Sequence, residues 1–195
     1  MKLENYNESG DKETKAIVME SILNPYIKIL RNLFWQNFEE IKNGSSLSQK
    51  EIVQNISKIL EDENLKEYIN KTFIKQFVKS KEKASAQIKT NRNIDEEILD
   101  ALVYDSILYR SFNKLFTEKL KNQIFDQNKL EPKKPAAKEY PKLNKDEANN
   151  IINFFINIES EFRKIIKQKI KEQIRSKEIT YKYHPAGWER KIDTK

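Results

Sequence analysis

The chain has 195 residues, of which 34% are charged, with three glycines and no cysteine. The absence of cysteine excludes disulfides, thiolate metal sites and cysteine nucleophiles, and the low glycine content is typical of helices and not of sheets or barrels. Because no run of about 18 apolar residues occurs, we expect no membrane span and a soluble, cytoplasmic protein.

The N-terminal two thirds of the chain is predicted to be a helical bundle. Residues 1–12 are polar and show no periodicity, so we expect a disordered terminus there, followed by the bundle over 13–127. A first helix is predicted over Glu13–Leu23. We expect a second helix to begin at Pro25 with Asn24 as its cap, because proline is tolerated at the first helical position.

Later boundaries of the bundle follow from capping residues and glycine. The second helix is predicted to end at Asn43 and Gly44, and Ser48 with Glu51 reads as a capping box that opens a third helix. A further helix is predicted after the break at 61–64. The apolar spacing then predicts one helix from about residue 93 to residue 124.

A connector and a long helix are predicted in the last third. Three of the five prolines fall in residues 128–143, which predicts an extended Pro/Lys-rich connector. Beyond it, Asn144 is expected to cap a long amphipathic helix over 144–177, and residues 178–195 a short aromatic and basic tail. The predicted fold class is all-α, with a bundle of five or six helices, a long C-terminal helix and a short irregular tail. Whether that helix packs on its own bundle or on another chain stays open.

Positive charge is concentrated in this last third. Residues 1–130 hold 21 Lys or Arg against 20 Asp or Glu, whereas residues 131–195 hold 16 against 10. Such asymmetry would attract a polyanion to one end of the molecule. On the last helix the candidate cations are Arg163, Lys164, Lys167, Lys171 and Arg175, and a smaller basic patch comprises Lys71, Lys75 and Lys79.

Aromatic residues interleaved with cations follow the basic helix. Tyr181, Tyr183, Trp188 and Arg190 lie in the tail, and rings beside cations are typical of sites that stack single-stranded nucleic acid. A row of cations one helical turn apart can follow a phosphate backbone. The alternative interpretation is that the lysines form a solvated helix face and the aromatic residues anchor the tail to the core.

These patterns favour a binding protein and not an enzyme. His184 is the only histidine, and no phosphate-binding glycine loop, nucleophile elbow or zinc-protease motif occurs. We therefore expect no catalytic residue, metal or cofactor. The predicted function is a non-catalytic accessory subunit of a larger nucleoprotein complex that binds RNA or single-stranded DNA. The alternative is a protein-interaction module, such as an assembly factor, a phage structural component or an inhibitor, that meets an acidic protein through its C-terminal helix and tail.

Overall fold

The computed structural model of the chain describes residues 12–85, 94–125, 143–176, 181–184 and 187–190. Within these ranges it contains seven helices, and the predicted all-α bundle with a long C-terminal helix is confirmed. We number the helices α1 (Lys12–Gln36), α2 (Phe38–Lys42), α3 (Leu47–Ile59), α4 (63–85), α5 (Ile94–Asp105), α6 (107–125) and α7 (Lys145–Ser176). The predicted disordered terminus lies outside the described residues except for Lys12, which begins α1, and most of the predicted proline connector lies outside them as well.

Helix α1 passes through Pro25 without a break, so the predicted boundary at Asn24 is wrong. Proline leaves the carbonyl of Ser21 without its helical N–H partner. Asn24 and Pro25 are exposed, however, and water can satisfy that carbonyl. Leu23 and Ile27 on the opposite side are buried, and their packing keeps one helix continuous across the proline.

The end of α2 is set by Gly44, as the sequence predicts. Gly44 has a φ of +79°, a backbone angle that residues with a side chain rarely adopt. Its N–H donates to the carbonyl of Ile41 at 3.0 Å, and the N–H of Ser45 donates to the carbonyl of Glu40 at 2.9 Å. This pair of hydrogen bonds is the Schellman motif. The Asn150 Nδ2 donates to the nearby carbonyl of Lys42 at 2.9 Å and so fixes α7 against this turn.

Helix α3 begins one residue before the predicted cap. Its first residue is Leu47, and Ser46 precedes it without a side-chain capping bond, so Ser48 lies inside the first turn and the predicted capping box at Ser48 is wrong. The box motif occurs in the sequence, but the chain leaving Gly44 enters the helix earlier. The sequence pattern therefore predicted that α3 exists but not the residue at which it begins.

A break at Ser106 divides the helix that the sequence predicts over 93–124. Ser106 Oγ accepts a hydrogen bond from the N–H of Tyr109 at 3.1 Å and donates to the carbonyl of Val103 at 2.6 Å. The serine thus closes α5 and caps α6, in an extended conformation with a ψ of 146°. The prediction of one helix is wrong because apolar spacing continues across the break and hides it.

Helices α4 and α6 each contain one π-helical turn, at Ile69–Phe73 and Asn113–Glu118. Such turns insert an extra residue into the helix, and they are frequent at functional sites. In α6 the carbonyl of Leu115 accepts hydrogen bonds from Nε and Nη2 of Arg31 at 3.1 and 2.5 Å. Arg31 therefore ties α1 to the irregular turn of α6.

Helix α7 packs along its own bundle. The predicted cap is confirmed, since Asn144 Oδ1 accepts from the N–H of Glu147 at 2.9 Å and Glu147 Oε2 accepts from the N–H of Asn144 at 2.8 Å. The apolar stripe of α7 is buried against an aromatic core, where Phe155 stacks on Phe34 and Phe162 stacks on Phe112. This packing answers the question that the sequence leaves open.

Two short strands differ from the irregular tail that the sequence predicts. The strands β1 (Tyr181–His184) and β2 (Gly187–Arg190) pair as an antiparallel hairpin.

Among the described residues, no helix combines the length and the apolar character that crossing a bilayer requires.

Candidate nucleic-acid interface

Two lysines of the predicted basic stripe on α7 pair with carboxylates of α5. The side chain of Lys167 is only 19% exposed, and its Nζ lies 2.8 Å from Asp100 Oδ1 and 3.3 Å from Glu96 Oε2. Lys171, one turn further along, pairs with the same Glu96. A carboxylate beside an ammonium cancels most of the field that a distant phosphate would feel.

The protonation equilibria of these groups reflect the same contacts. Hydrogen bonds from Lys171 and Lys167 hold the pKa of Glu96 below its ordinary value. The hydrogen bond to Asp100 raises the pKa of Lys167, and the bond to Glu96 adds to this effect against the opposing influence of burial. Glu96 and Lys167 therefore both keep their charges near neutral pH, and α5 and α7 are joined by ion pairs.

Two members of the predicted row of cations on α7, Lys167 and Lys171, are therefore neutralised by acidic residues of α5. Lys164 is 65% exposed, but its Nζ lies 2.6 Å from Glu161 Oε1 on the same helix. Lys167 and Lys171 are paired across to α5, as described above. The acidic partners stand 67 and 75 residues away in the chain, so the pattern of the helix alone does not reveal them.

The two candidate arginines of α7 differ in position. Arg163 is partly buried, and its guanidinium carbon lies 5.8 Å from the centre of the Tyr109 ring, in a cation–π arrangement. It faces a cleft and not the lysines. Arg175 continues α7, and its side chain is outside the described part of the structure.

The smaller basic patch on α4 is exposed as predicted. Lys71, Lys75 and Lys79 are all exposed at intervals of four residues, and Lys71 pairs with Glu67 of the preceding turn. An exposed lysine with a flexible stem can follow a phosphate at little cost in strain. This patch is therefore more accessible than the lysines that α5 covers.

The hairpin brings together the four candidate residues of the tail. Its register pairs Tyr181 with Arg190 and Tyr183 with Trp188. Cross-strand partners share a face of a β-ribbon, and so do alternate residues of one strand. The four positions therefore lie on one face, and the register puts Lys182, Glu189 and His184 on the other.

A polar cleft between α5, α6 and α7 is a feature that sequence reasoning missed. It has a volume of about 590 Å³, and its lining includes Tyr104, Tyr109, Arg110, Asn113, Glu159 and Arg163. Burial and the charge of Glu159 raise the pKa of Tyr109, so its hydroxyl stays protonated. The one feature of the sequence that could have indicated this cleft is Tyr104, an aromatic residue that lies off the apolar stripe of α5. In the structure Tyr104 is 58% exposed.

Two buried polar atoms at this cleft have no partner among the residues that the structure describes. They are the Nε of Arg163 and the Oδ1 of Asn113. A buried polar atom without a hydrogen bond costs about 1–3 kcal/mol.

The part of the chain that the structure describes contains no cluster of side chains suited to a metal ion. Within those residues, no group of three or more histidine, aspartate or glutamate side chains is arranged to hold a metal ion. Two carboxylates of α5, Glu96 and Asp100, are instead engaged with lysines of α7.

Comparison of the chain with protein-family models, with curated proteins and with solved structures found no match.

Proposed function

We propose that the protein is a non-catalytic subunit that binds single-stranded nucleic acid, RNA or DNA, through one face of its C-terminal hairpin. The observation that carries the proposal is the register of the strands, which gathers Tyr181, Tyr183, Trp188 and Arg190 on a single face. Aromatic rings stack on bases of any sequence, and each stacked base contributes about 1–3 kcal/mol.

The ribbon also needs a partner for its stability. A two-stranded hairpin alone is only marginally stable in water, so an aromatic face is expected to be covered. A strand of bases can cover it by stacking, while Arg190 contacts a phosphate. The exposed lysines of α4 supply an accessory basic surface.

The α7 lysines have a smaller role in this proposal than the sequence suggests. Lys167 and Lys171 are occupied by Glu96, and a phosphate would have to displace that carboxylate. The number of phosphates contacted sets how steeply affinity falls with salt. We therefore expect a modest salt dependence, carried by a few cations and not by a full row.

A labelled strand of about 15 nucleotides, long enough to span a small binding site, tests the proposal by fluorescence anisotropy. RNA and DNA homopolymers are each titrated with the full chain at low and at physiological salt. Saturable binding that weakens as salt rises is expected. Absence of binding at low salt to every strand would refute the proposal.

Matched variants identify the binding face. Arg190→Ala and Lys182→Ala each remove one positive charge from the hairpin, on opposite faces according to the register. We expect Arg190→Ala to weaken binding more than Lys182→Ala. Trp188→Ala is expected to reduce affinity about tenfold, as for loss of one stacked base. Equal effects of the two charge deletions would argue against a directed face.

Protein docking is the second candidate, because α7 exposes an aliphatic pair that nucleic acid would not use. Ile152 and Ile156 are 40% and 53% exposed at neighbouring turns of the helix. If this candidate holds, Ile152→Ser with Ile156→Ser abolishes co-purification of a partner from the native source, while binding of the labelled strands is absent or unchanged.

A further inference from the structure

The spacing of the aromatic positions along the hairpin limits how bases can lie against it. Tyr181 and Tyr183 stand two residues apart on β1, and the register places Trp188 opposite Tyr183. A β-strand rises about 3.3 Å per residue, so the two tyrosine positions are about 6.6 Å apart. Cross-strand partners are closer, with Cβ atoms about 5 Å apart. The geometry of the ribbon therefore fixes the distances between the three ring positions.

Neighbouring bases in a stacked strand are about half as far apart as the two tyrosine positions. The nucleotides of one strand in a stacked helix repeat about every 3.4 Å along its axis. Each base in such a run uses both of its faces to contact its neighbours. A stacked run therefore offers no free base face to a tyrosine ring, and its repeat differs from the spacing of Tyr181 and Tyr183.

Two arrangements of the rings lead to the same result. If the rings lie flat along the ribbon, neighbouring bases lie side by side, one on each ring. If the rings stand upright, the distance between Tyr181 and Tyr183 is about twice the stacking distance of bases, which is enough for one base between them. In both arrangements a base contacts a ring where it would otherwise contact the next base of its own strand.

The cost of separating neighbouring bases depends on which bases they are. Adenines stack strongly on one another in single strands, whereas uracils stack only weakly. Proteins that bind single strands through aromatic rings derive their preference for pyrimidine runs from stacking strength and backbone flexibility, and not from hydrogen bonds to the bases. A strand rich in uridine or thymidine can therefore meet the hairpin without first being opened.

We infer that the aromatic face of the hairpin binds a strand whose neighbouring bases are unstacked, and that it prefers pyrimidine-rich strands to adenine-rich strands for this reason. The inference rests on the proposed function, since it names the class of strand that the same face takes. Arg190, opposite Tyr181, adds a charge for the phosphates that every strand carries. The preference therefore comes from the ring positions and not from the charge.

Circular dichroism of an adenine strand tests the separation of the bases directly. The full chain is added to oligo(A) of about four nucleotides, the short end of the range for single-strand-binding domains, so that the hairpin contacts most of the bases. The spectrum of the protein alone is subtracted, and saturation is checked by fluorescence anisotropy. We expect the ultraviolet band of stacked adenines to fall as the strand is saturated. An unchanged band at saturation overturns the inference.

Relative affinity provides a second measurement. Labelled oligo(U) and oligo(A) of about 15 nucleotides are titrated at one salt concentration and at two temperatures. The uridine strand is expected to bind more tightly by up to about tenfold, which corresponds to opening one stacked step. This ratio should fall on warming, because adenine stacking weakens with temperature. Equal affinities at the lower temperature, or tighter binding of the adenine strand, overturn the inference.

Variants on the two faces of the hairpin identify the rings as the cause. Tyr181→Ala removes one ring position of β1, so we expect weaker binding of both strands and a ratio of affinities close to one. Tyr181→Phe keeps the ring and should keep the native ratio. Lys182→Ala, on the other face, is the control and should also keep the native ratio. A native ratio in Tyr181→Ala overturns the inference.

Failure of this inference and failure of the proposed function give different results. If both strands bind with equal affinity and the adenine band is unchanged at saturation, the preference for unstacked strands is refuted and the proposed function stands. If no strand binds at low salt, the proposed function is refuted, and the inference falls with it.

Discussion

Asp62 joins two helices, α1 and α4, through its two carboxylate oxygens. Oδ1 accepts from the N–H groups of Asn64 and Leu65 and so caps α4, while Oδ2 accepts from the Tyr26 hydroxyl of α1 at 2.7 Å. Burial acts to raise the pKa of Asp62, but the hydrogen bonds from Tyr26, Leu65 and Asn64 outweigh it, and the pKa is lowered. The hydrogen bond to Asp62, with burial, raises the pKa of Tyr26 to about 12.

Tyr26→Phe is expected to lower the free energy of unfolding by about 1–2 kcal/mol near neutral pH, because it removes a hydrogen bond to a charged acceptor. The difference from the native chain should vanish as pH falls through the lowered pKa of Asp62, where the carboxylate is protonated. It should also decline between pH 10 and about 12, since the stabilising hydroxyl proton is lost as pH rises through the raised pKa.

Urea unfolding of both proteins across this pH range measures the effect. Tyr104→Phe, which removes an exposed hydroxyl, is the control and should unfold as the native chain does throughout. A difference between Tyr26→Phe and the native chain that is the same at every pH would show that ring packing, and not the hydrogen bond, accounts for the loss.

Local capping could be predicted at some residues and not at others. The reciprocal bonds of Asn144 and Glu147 span three residues, and the sequence predicts this cap correctly. Tyr26 and Asp62 are 36 residues apart, and no spacing rule links them. Hydrogen bonds within a helical turn join residues at a fixed spacing, which can be recognised in the sequence. Hydrogen bonds between helices depend on how the helices cross.

At the scale of helices, apolar periodicity predicted which residues are buried better than where helices end. The stripe of α7 is buried as predicted, but Pro25 does not end α1, and Ser106 does end α5. The reason is energetic. Packing of several core residues outweighs one lost hydrogen bond at a proline, and a serine cap can terminate a helix while the periodicity continues.

Glu96 tests how far ion pairs hold α5 against α7. Glu96→Gln removes the charge that Lys167 and Lys171 share, and we expect it to lower the free energy of unfolding by less than about 1 kcal/mol, because the groups are partly exposed and screened by solvent. The loss should shrink as salt is added.

Thermal unfolding at low and high salt measures this loss. Glu172→Gln is the matched control, because Glu172 pairs with Lys169 of the same helix. A loss in Glu96→Gln that equals the loss in the control, or that salt does not reduce, would contradict a role for the ion pairs in holding the two helices together.

For the whole molecule, fold class could be predicted from the sequence more reliably than the binding surface. Charge asymmetry along the chain is real, but α5 carries acidic residues to the basic face of α7, and this meeting depends on tertiary packing. The cleft at Tyr104 and Asn113 likewise arises only where three helices come together. Residues far apart in the chain form both features, so their contribution to a site could not be predicted from local pattern.

Helix α7 is expected to complete the fold, whereas the hairpin is not. Among the side chains of α7 that the structure describes, seven apolar ones are buried, namely Ile151, Phe154, Phe155, Ile158, Phe162, Ile166 and Ile170. Each such side chain contributes about 1.5–3 kcal/mol on burial, and their sum is comparable with the whole stability of a domain, about 5–15 kcal/mol.

A chain ending at residue 142 should therefore lose cooperative unfolding, while a chain ending at residue 176 should keep it. Urea unfolding followed by near-ultraviolet circular dichroism distinguishes the two. Cooperative unfolding of the 1–142 chain would mean that α7 is an appended arm, and loss of cooperativity in the 1–176 chain would mean that the hairpin belongs to the core and its aromatic face is not free to bind a strand.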